Sequence, residues 1–226
     1  LNSDAGTGPF DPPEHLRPFG ELLLPAGSTI HRIYRVVEGH TAVTFNPAEG
    51  EPTRFAPLRA TGWHSERRVV PTLYAGASFS GAILETILRD LPLAPLRRVF
   101  PEQKLVGRAH ARIVTRSAFR LAKLFNPNLG VNGLSRAQLI ECAGLEAYLQ
   151  TVKWAEAIYD NFHELHGLAW MSRQDDSCQA YMLFGDRVAE EDLVVQSTRP
   201  IDDGPGRADF AALVKEYKIG ITQRKP

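Results

Sequence analysis

The chain has 226 residues, 43% of them hydrophobic, enough for one domain to bury a full core without disulfide or metal staples. Basic and acidic side chains balance at 26 each with no long run of one sign, so a general pull toward nucleic acid or a membrane surface is not expected. No apolar run approaches the ~20 residues of a membrane-spanning helix, the first residues do not read as a signal peptide, and Cys142 and Cys178 form no CxxC pair. The expected setting is the cytoplasm, with both cysteines as small buried apolar side chains.

Residues 1–27 carry Pro9, Pro12, Pro13, Pro18 and Pro25 and read as an extended arm, so the domain division is an arm at 1–29 and a single domain over 30–226. Residues 30–37 (IHRIYRVV) are rich in β-branched side chains and predict a strand. Residues 45–68 mix Pro, Gly, Arg and aromatics without a period and predict a long ordered loop of the functional or mobile kind. A short strand follows at 69–75, with Pro71 arguing against a central place in a sheet. Ser78 offers an N-cap for a helix over 79–90, on which Phe79, Ala82, Ile83, Thr86 and Ile87 share one side.

Strands are expected at 105–115 and 119–125, then a turn-rich stretch at 126–130. Ser135 and Gln138 have capping-box spacing ahead of one or two helices within 136–161, with Gly144 as a break. Strands at 167–173, 179–184 and 193–198 and a helix at 207–218 complete the chain. The order is mixed rather than a regular βαβ alternation, so the fold class is α+β.

Familiar catalytic signatures (a Walker loop, HExxH, GxSxG) are missing. The stretch GASFSG at 76–81 lies between a strand and a helix, where it serves either as a phosphate dock or as a tight turn. Arg35 shares an alternating strand face with Ile33 and Val37, so it either meets an anionic partner or snorkels to water from the strand end. Glu85 lies off the apolar stripe of its helix, four residues before Arg89, where an exposed pair worth about 0.2–0.5 kcal/mol is the plain account. Tyr74 closes a strand as a packing aromatic, and Ser172 follows the strand GLAWM in the position of a turn former. His163 and His166 have i,i+3 spacing without a convincing third ligand, so no metal site is expected.

Taken together, IYRVV (Arg35), TRFAPL (Arg54), TLYAGASFSGAILETIL (Tyr74 and Glu85) and HGLAWMSRQD (Ser172) resemble, in order and spacing, the RES family, named for its Arg, Glu and Ser. The resemblance covers residues 30–187. It implies an ADP-ribosyltransferase-like fold, a mixed sheet core with flanking helices. It also implies a toxin of a toxin–antitoxin pair, restrained by an antitoxin with a helix-turn-helix domain and making no nucleic-acid contact of its own. NAD is then the substrate, with no metal. Its nicotinamide–ribose bond is cleaved and ADP-ribose passes to a protein target, phosphate or water.

In the roles that follow from the resemblance and the chemistry, Arg35 and Arg54 bind the pyrophosphate and Tyr74 stacks on the nicotinamide. Glu85 steadies the positive charge growing on the ribose, and Ser172 positions the ribose or the nicotinamide amide. Phe55 stands where many members have Trp, and Pro71 interrupts a strand. The loop at 45–68, which carries Arg54, is the expected antitoxin contact. Three other readings stand beside this one: a catalytically silent nucleotide-binding module, a structural protein, and a hydrolase using Ser172 with His163 or His166, which lacks a nucleophile elbow.

Overall fold

The computed structural model describes residues 11–47, 52–62, 66–92 and 98–222. The first ten residues of the expected arm, and residues 48–51 and 63–65 of the expected loop, lie outside them. Eight strands form one mixed sheet in the spatial order β1 (Glu21–Leu24), β8 (Phe119–Lys123), β9 (Gly167–Met171), β10 (Gln179–Phe184), β5 (Thr72–Gly76), β2 (Thr29–Arg35), β7 (Arg108–Thr115) and β11 (Leu193–Pro200). Neighbours run antiparallel except β8 and β9, which are parallel. The chain is therefore α+β, as its mixed element order implies.

The sheet curls around one of its own faces. Leu24, Phe119, Ala169, Leu183, Leu73, Ile30, Ala111 and Leu193, one from each strand, belong to a single buried cluster. On the opposite face the alternate side chains Leu168, Trp170, Ala180, Met182 and Phe184 pack with Trp154, Ile158 and Tyr159 of helix α2 (Leu145–Asn161). Helices α1 (Phe79–Thr86) and α3 (Gly204–Glu216) supply Ile83 and Phe210 to a third cluster that covers Ile33 of β2. Two small ladders complete the fold: β6 (Val99–Pro101) with β12 (Gly220–Thr222), and β3 (Leu58–Ala60) with β4 (Arg68–Val70). No helix among the described residues is long and apolar enough to cross a membrane.

Several local expectations change. The arm at 1–29 contributes β1, whose four residues pair with β8 and bury Leu24 in the shared core. The loop at 45–68 contains β3. Pro71 divides the expected strand at 69–75 in two, because it has no N–H to give a ladder. The part before it, β4, pairs with β3, and the part after it, β5, lies centrally between β10 and β2. The capping box at Ser135 and Gln138 forms, but the turn it starts, Ala137–Glu141, is a π-helix. That turn closes at Cys142, and Gly144, at φ 97°, caps the start of α2.

Candidate active site

Helix α1 is seated by two features of the GASFSG stretch. The Ser78 hydroxyl accepts from Gly81 N at 3.0 Å and caps the first turn. Gly76 lets that turn rest on β5, since a Cβ there would stand 2.6 Å from the Ala82 nitrogen. From this seat the helix carries Glu85 inward, where it is only 9% exposed. Its Oε1 accepts from Ser172 Oγ at 2.7 Å and from the Arg173 backbone nitrogen at 2.8 Å, and its Oε2 accepts from Trp170 Nε1 at 3.0 Å. The exposed pair with Arg89 does not form; Arg89 Nε lies 3.1 Å from Asp90 Oδ2 instead. A buried carboxylate needs donors, and the end of β9 supplies three.

Ser172 is fully buried. Its nitrogen donates to Cys178 O at 2.7 Å and its Oγ accepts from Gln174 N at 3.1 Å, so it is turn former and Glu85 partner at once. Arg136 donates to Ser172 O at 2.7 Å. Arg173 binds Glu141 O at 2.7 Å and Arg89 O at 2.9 Å, tying the end of β9 to the end of α1 and to the π-helix.

Tyr74, at the middle of β5, sets its ring edge against Trp170 at 6.0 Å between centroids. Its hydroxyl accepts from Phe55 N at 3.1 Å and lies 3.0 Å from Thr53 Oγ1, which pins the loop carrying Arg54. Burial pushes its phenol above the usual range. Arg54 is 3% exposed and donates to Ile140 O and Cys142 O, the carbonyls at the end of the π-helix. Its guanidinium lies 5.9 Å from the Tyr148 ring, and its Nε is buried without a partner.

Arg35 stands apart from this group. It is exposed at the end of β2, directly opposite Arg108 on β7. It lines a cavity of about 620 Å³ together with Thr86, Ile87, Arg89, Asp90, Lys104 and Arg108. Burial first, then the neighbouring charges of Arg35 and Arg89, push the Arg108 guanidinium below its usual range. A second cavity of about 580 Å³, lined by Pro52, Ala143, Gly144, Leu145 and Tyr148, shares Arg89 and Asp90 with the first. Glu85, Tyr74, Arg54 and Ser172 line neither.

The fold thus gathers Glu85, Ser172 and Tyr74 around Trp170, with Arg54 one loop behind, and leaves Arg35 in the open groove beyond Thr86. Trp170, Arg173, Arg108, Asp90 and Tyr148 were not singled out from sequence. Trp170 carried a usable signal: it precedes Ser172 by two residues, so both face one way, and a buried indole N–H seeks an acceptor. Asp90 and Tyr148 meet from elements far apart in the chain and left no local signal. His166 Nδ1 accepts from Arg120 N at 3.1 Å, while Ser172 Oγ donates to Glu85, an arrangement unlike a serine–histidine pair. Among the described residues no three His, Cys, Asp or Glu side chains are grouped to hold a metal ion.

A search of curated proteins returns no significant match. Among solved structures, a chain of the M. tuberculosis MbcT–MbcA toxin–antitoxin complex matches with a TM-score of 0.52 at 13% identity, covering 78% of this chain and 85% of that one, a likeness of fold. The profile of the RES domain matches residues 30–203, a span that includes Arg35, Arg54, Tyr74, Glu85 and Ser172, and the chain belongs to the RES domain family.

Proposed function

We propose that this RES domain is the toxin of a toxin–antitoxin pair that binds NAD, cleaves its nicotinamide–ribose bond and passes ADP-ribose to an acceptor. The observation that carries the reading is the buried Glu85 carboxylate, oriented by Ser172, Trp170 and the Arg173 backbone. The nicotinamide of NAD leaves as a neutral base from a cationic ring, so the reaction needs no acid at the leaving group. It needs a fixed negative group beside the positive charge that grows on the ribose. Three bonds occupy Glu85, two on Oε1 and one on Oε2, of the roughly four that a carboxylate accepts, so Oε2 retains one acceptor position.

In this reading Arg35, with Lys104 and Arg108 beside it, holds the pyrophosphate, and Arg54 adds positive charge from beneath Tyr148. Tyr74 and Trp170 wall the nicotinamide side, and Ser172 positions the ribose by way of Glu85. Membership of the RES family supports NAD as substrate, and the fold likeness to a toxin–antitoxin complex supports a protein antitoxin. An antitoxin of the helix-turn-helix type, acting with this chain in the cytoplasm, belongs to the same proposal.

One observation favours the second reading, a nucleotide-binding module that does not cleave: Glu85 and Ser172 line neither cavity. The two separate on incubation with NAD labelled in its adenylate half, with and without phosphate and cell lysate. Free or phosphorylated ADP-ribose means consumption of the NAD pool, and label on a protein band means transfer to a target. Bound NAD with no nicotinamide released under any condition means the silent module.

A further inference from the structure

The groove beside α1 changes chemistry along its length. At one end Leu145, Pro52 and the rim of the buried Tyr148 make a largely apolar bay. At the other end Arg35, Lys104 and Arg108 make a basic bay. Asp90 and its partner Arg89 stand at the junction and line both. The Asp90 carboxylate is fixed from two sides, Oδ1 by the Tyr148 hydroxyl at 2.6 Å and Oδ2 by Arg89 Nε at 3.1 Å, yet the side chain remains 58% exposed to a ligand. An apolar bay, then a carboxylate that already accepts from a hydroxyl, then cations is the order that the base, ribose and phosphate of a nucleotide require.

We infer that Asp90 is the ribose-binding and specificity-determining residue of this groove, accepting the adenosine 2′- and 3′-hydroxyls and rejecting a 2′-phosphate, so that the protein selects NAD over NADP. The inference rests on the proposed reaction in one respect: Glu85 and Tyr74 line neither bay, so the groove takes the half of the dinucleotide that is not cleaved. Carboxylates that accept from a ribose 2′-hydroxyl discriminate in this way in other dinucleotide sites. The arginines do not cancel the effect. Arg89 shares the junction, but its Nε is paired with Asp90, and Arg35 and Arg108 face the basic bay where the pyrophosphate lies. A second phosphate at the junction therefore meets a carboxylate, and such like-charge contact is costly. Tyr148 is a positioning residue that holds Asp90 toward the ligand.

Calorimetric titration of ADP-ribose and 2′-phospho-ADP-ribose tests this, because both probes already lack nicotinamide. The wild-type protein is expected to bind ADP-ribose roughly tenfold or more tightly than its 2′-phosphate. Asp90→Asn is expected to remove most of that ratio. Tyr148→Phe, which keeps the carboxylate and frees it, narrows the ratio less and serves if the Asp90 variant does not fold. Equal binding of the two probes by wild type, no binding of either, or an unchanged ratio in Asp90→Asn overturns the assignment. Nicotinamide release from NAD, measured in parallel, keeps the two ideas separate: release without discrimination removes only the role of Asp90, and discrimination without release removes only the cleavage.

Discussion

The Ser172 hydroxyl donates to Glu85 Oε1 at 2.7 Å, joining residues 87 positions apart in the chain. The bond links the mouth of a sheet strand to the last turn of α1, so the geometry of the carboxylate depends on both. Ser172→Ala leaves the Gln174 N–H without its acceptor and removes one of three donors from a buried carboxylate. The expected cost is about 1–3 kcal/mol of stability. If the carboxylate then shifts by an ångström or so, nicotinamide release falls roughly a hundredfold. A thermal melt and a release assay check the two effects; an unchanged release rate would detach Ser172 from the chemistry.

Gly76 sets the distance between β5 and α1. With a Cβ at 76 only 2.6 Å from the Ala82 nitrogen, Gly76→Ala forces backbone apart rather than a flexible side chain. A loss of about 1–3 kcal/mol is expected from overpacking, together with slower release because α1 carries Glu85. Denaturant midpoints compared with turnover test this, and a variant with wild-type stability would mean that α1 is not held as tightly as described.

His31 Nδ1 and His110 Nε2 lie 2.9 Å apart with their rings stacked at 5.1 Å, an arrangement that accommodates one shared proton but not two full charges. Burial first, then the nearby charges of His31 and Arg199, push His110 down from 6.5 to about 4. Between these values the unfolded chain binds more protons than the folded one, so stability rises with pH across the window and drains away as pH falls through it. The melting temperature should therefore drop as the solution is acidified from pH 6.5 toward 4, and His110→Gln should flatten that slope. A slope unaffected by the substitution would place the acid sensitivity elsewhere.

Much of this arrangement was legible from residue types and spacing. The β-branched run containing Arg35, the Ser78 cap and the short apolar run GLAWM each specify local structure, and β2, α1 and β9 form where they lie. Local pattern failed where tertiary pairing decides. Residues 21–24 show no alternation, and they become a strand only because β8 offers an edge and the curled core takes Leu24. Pro71 argued against a central strand, and it instead ends one strand just before a central one begins. Glu85 reads as an exposed helix charge until Trp170 and Ser172 are known to approach it from a strand far along the chain. Arg35 and Arg108 become one charged site only through the β2–β7 register.

The most direct measurement is the rate of nicotinamide release from NAD by the wild-type chain and by Glu85→Gln, with circular dichroism to establish that the variant is folded. The amide keeps the shape of the side chain, removes its negative charge and turns a donor toward one of the groups that now donate to it. Release by the wild type and a loss of roughly a hundredfold or more in the variant is the expected result. Equal release by both proteins would contradict the role of Glu85, and no release by the wild type would leave a nucleotide-binding module in place of an enzyme.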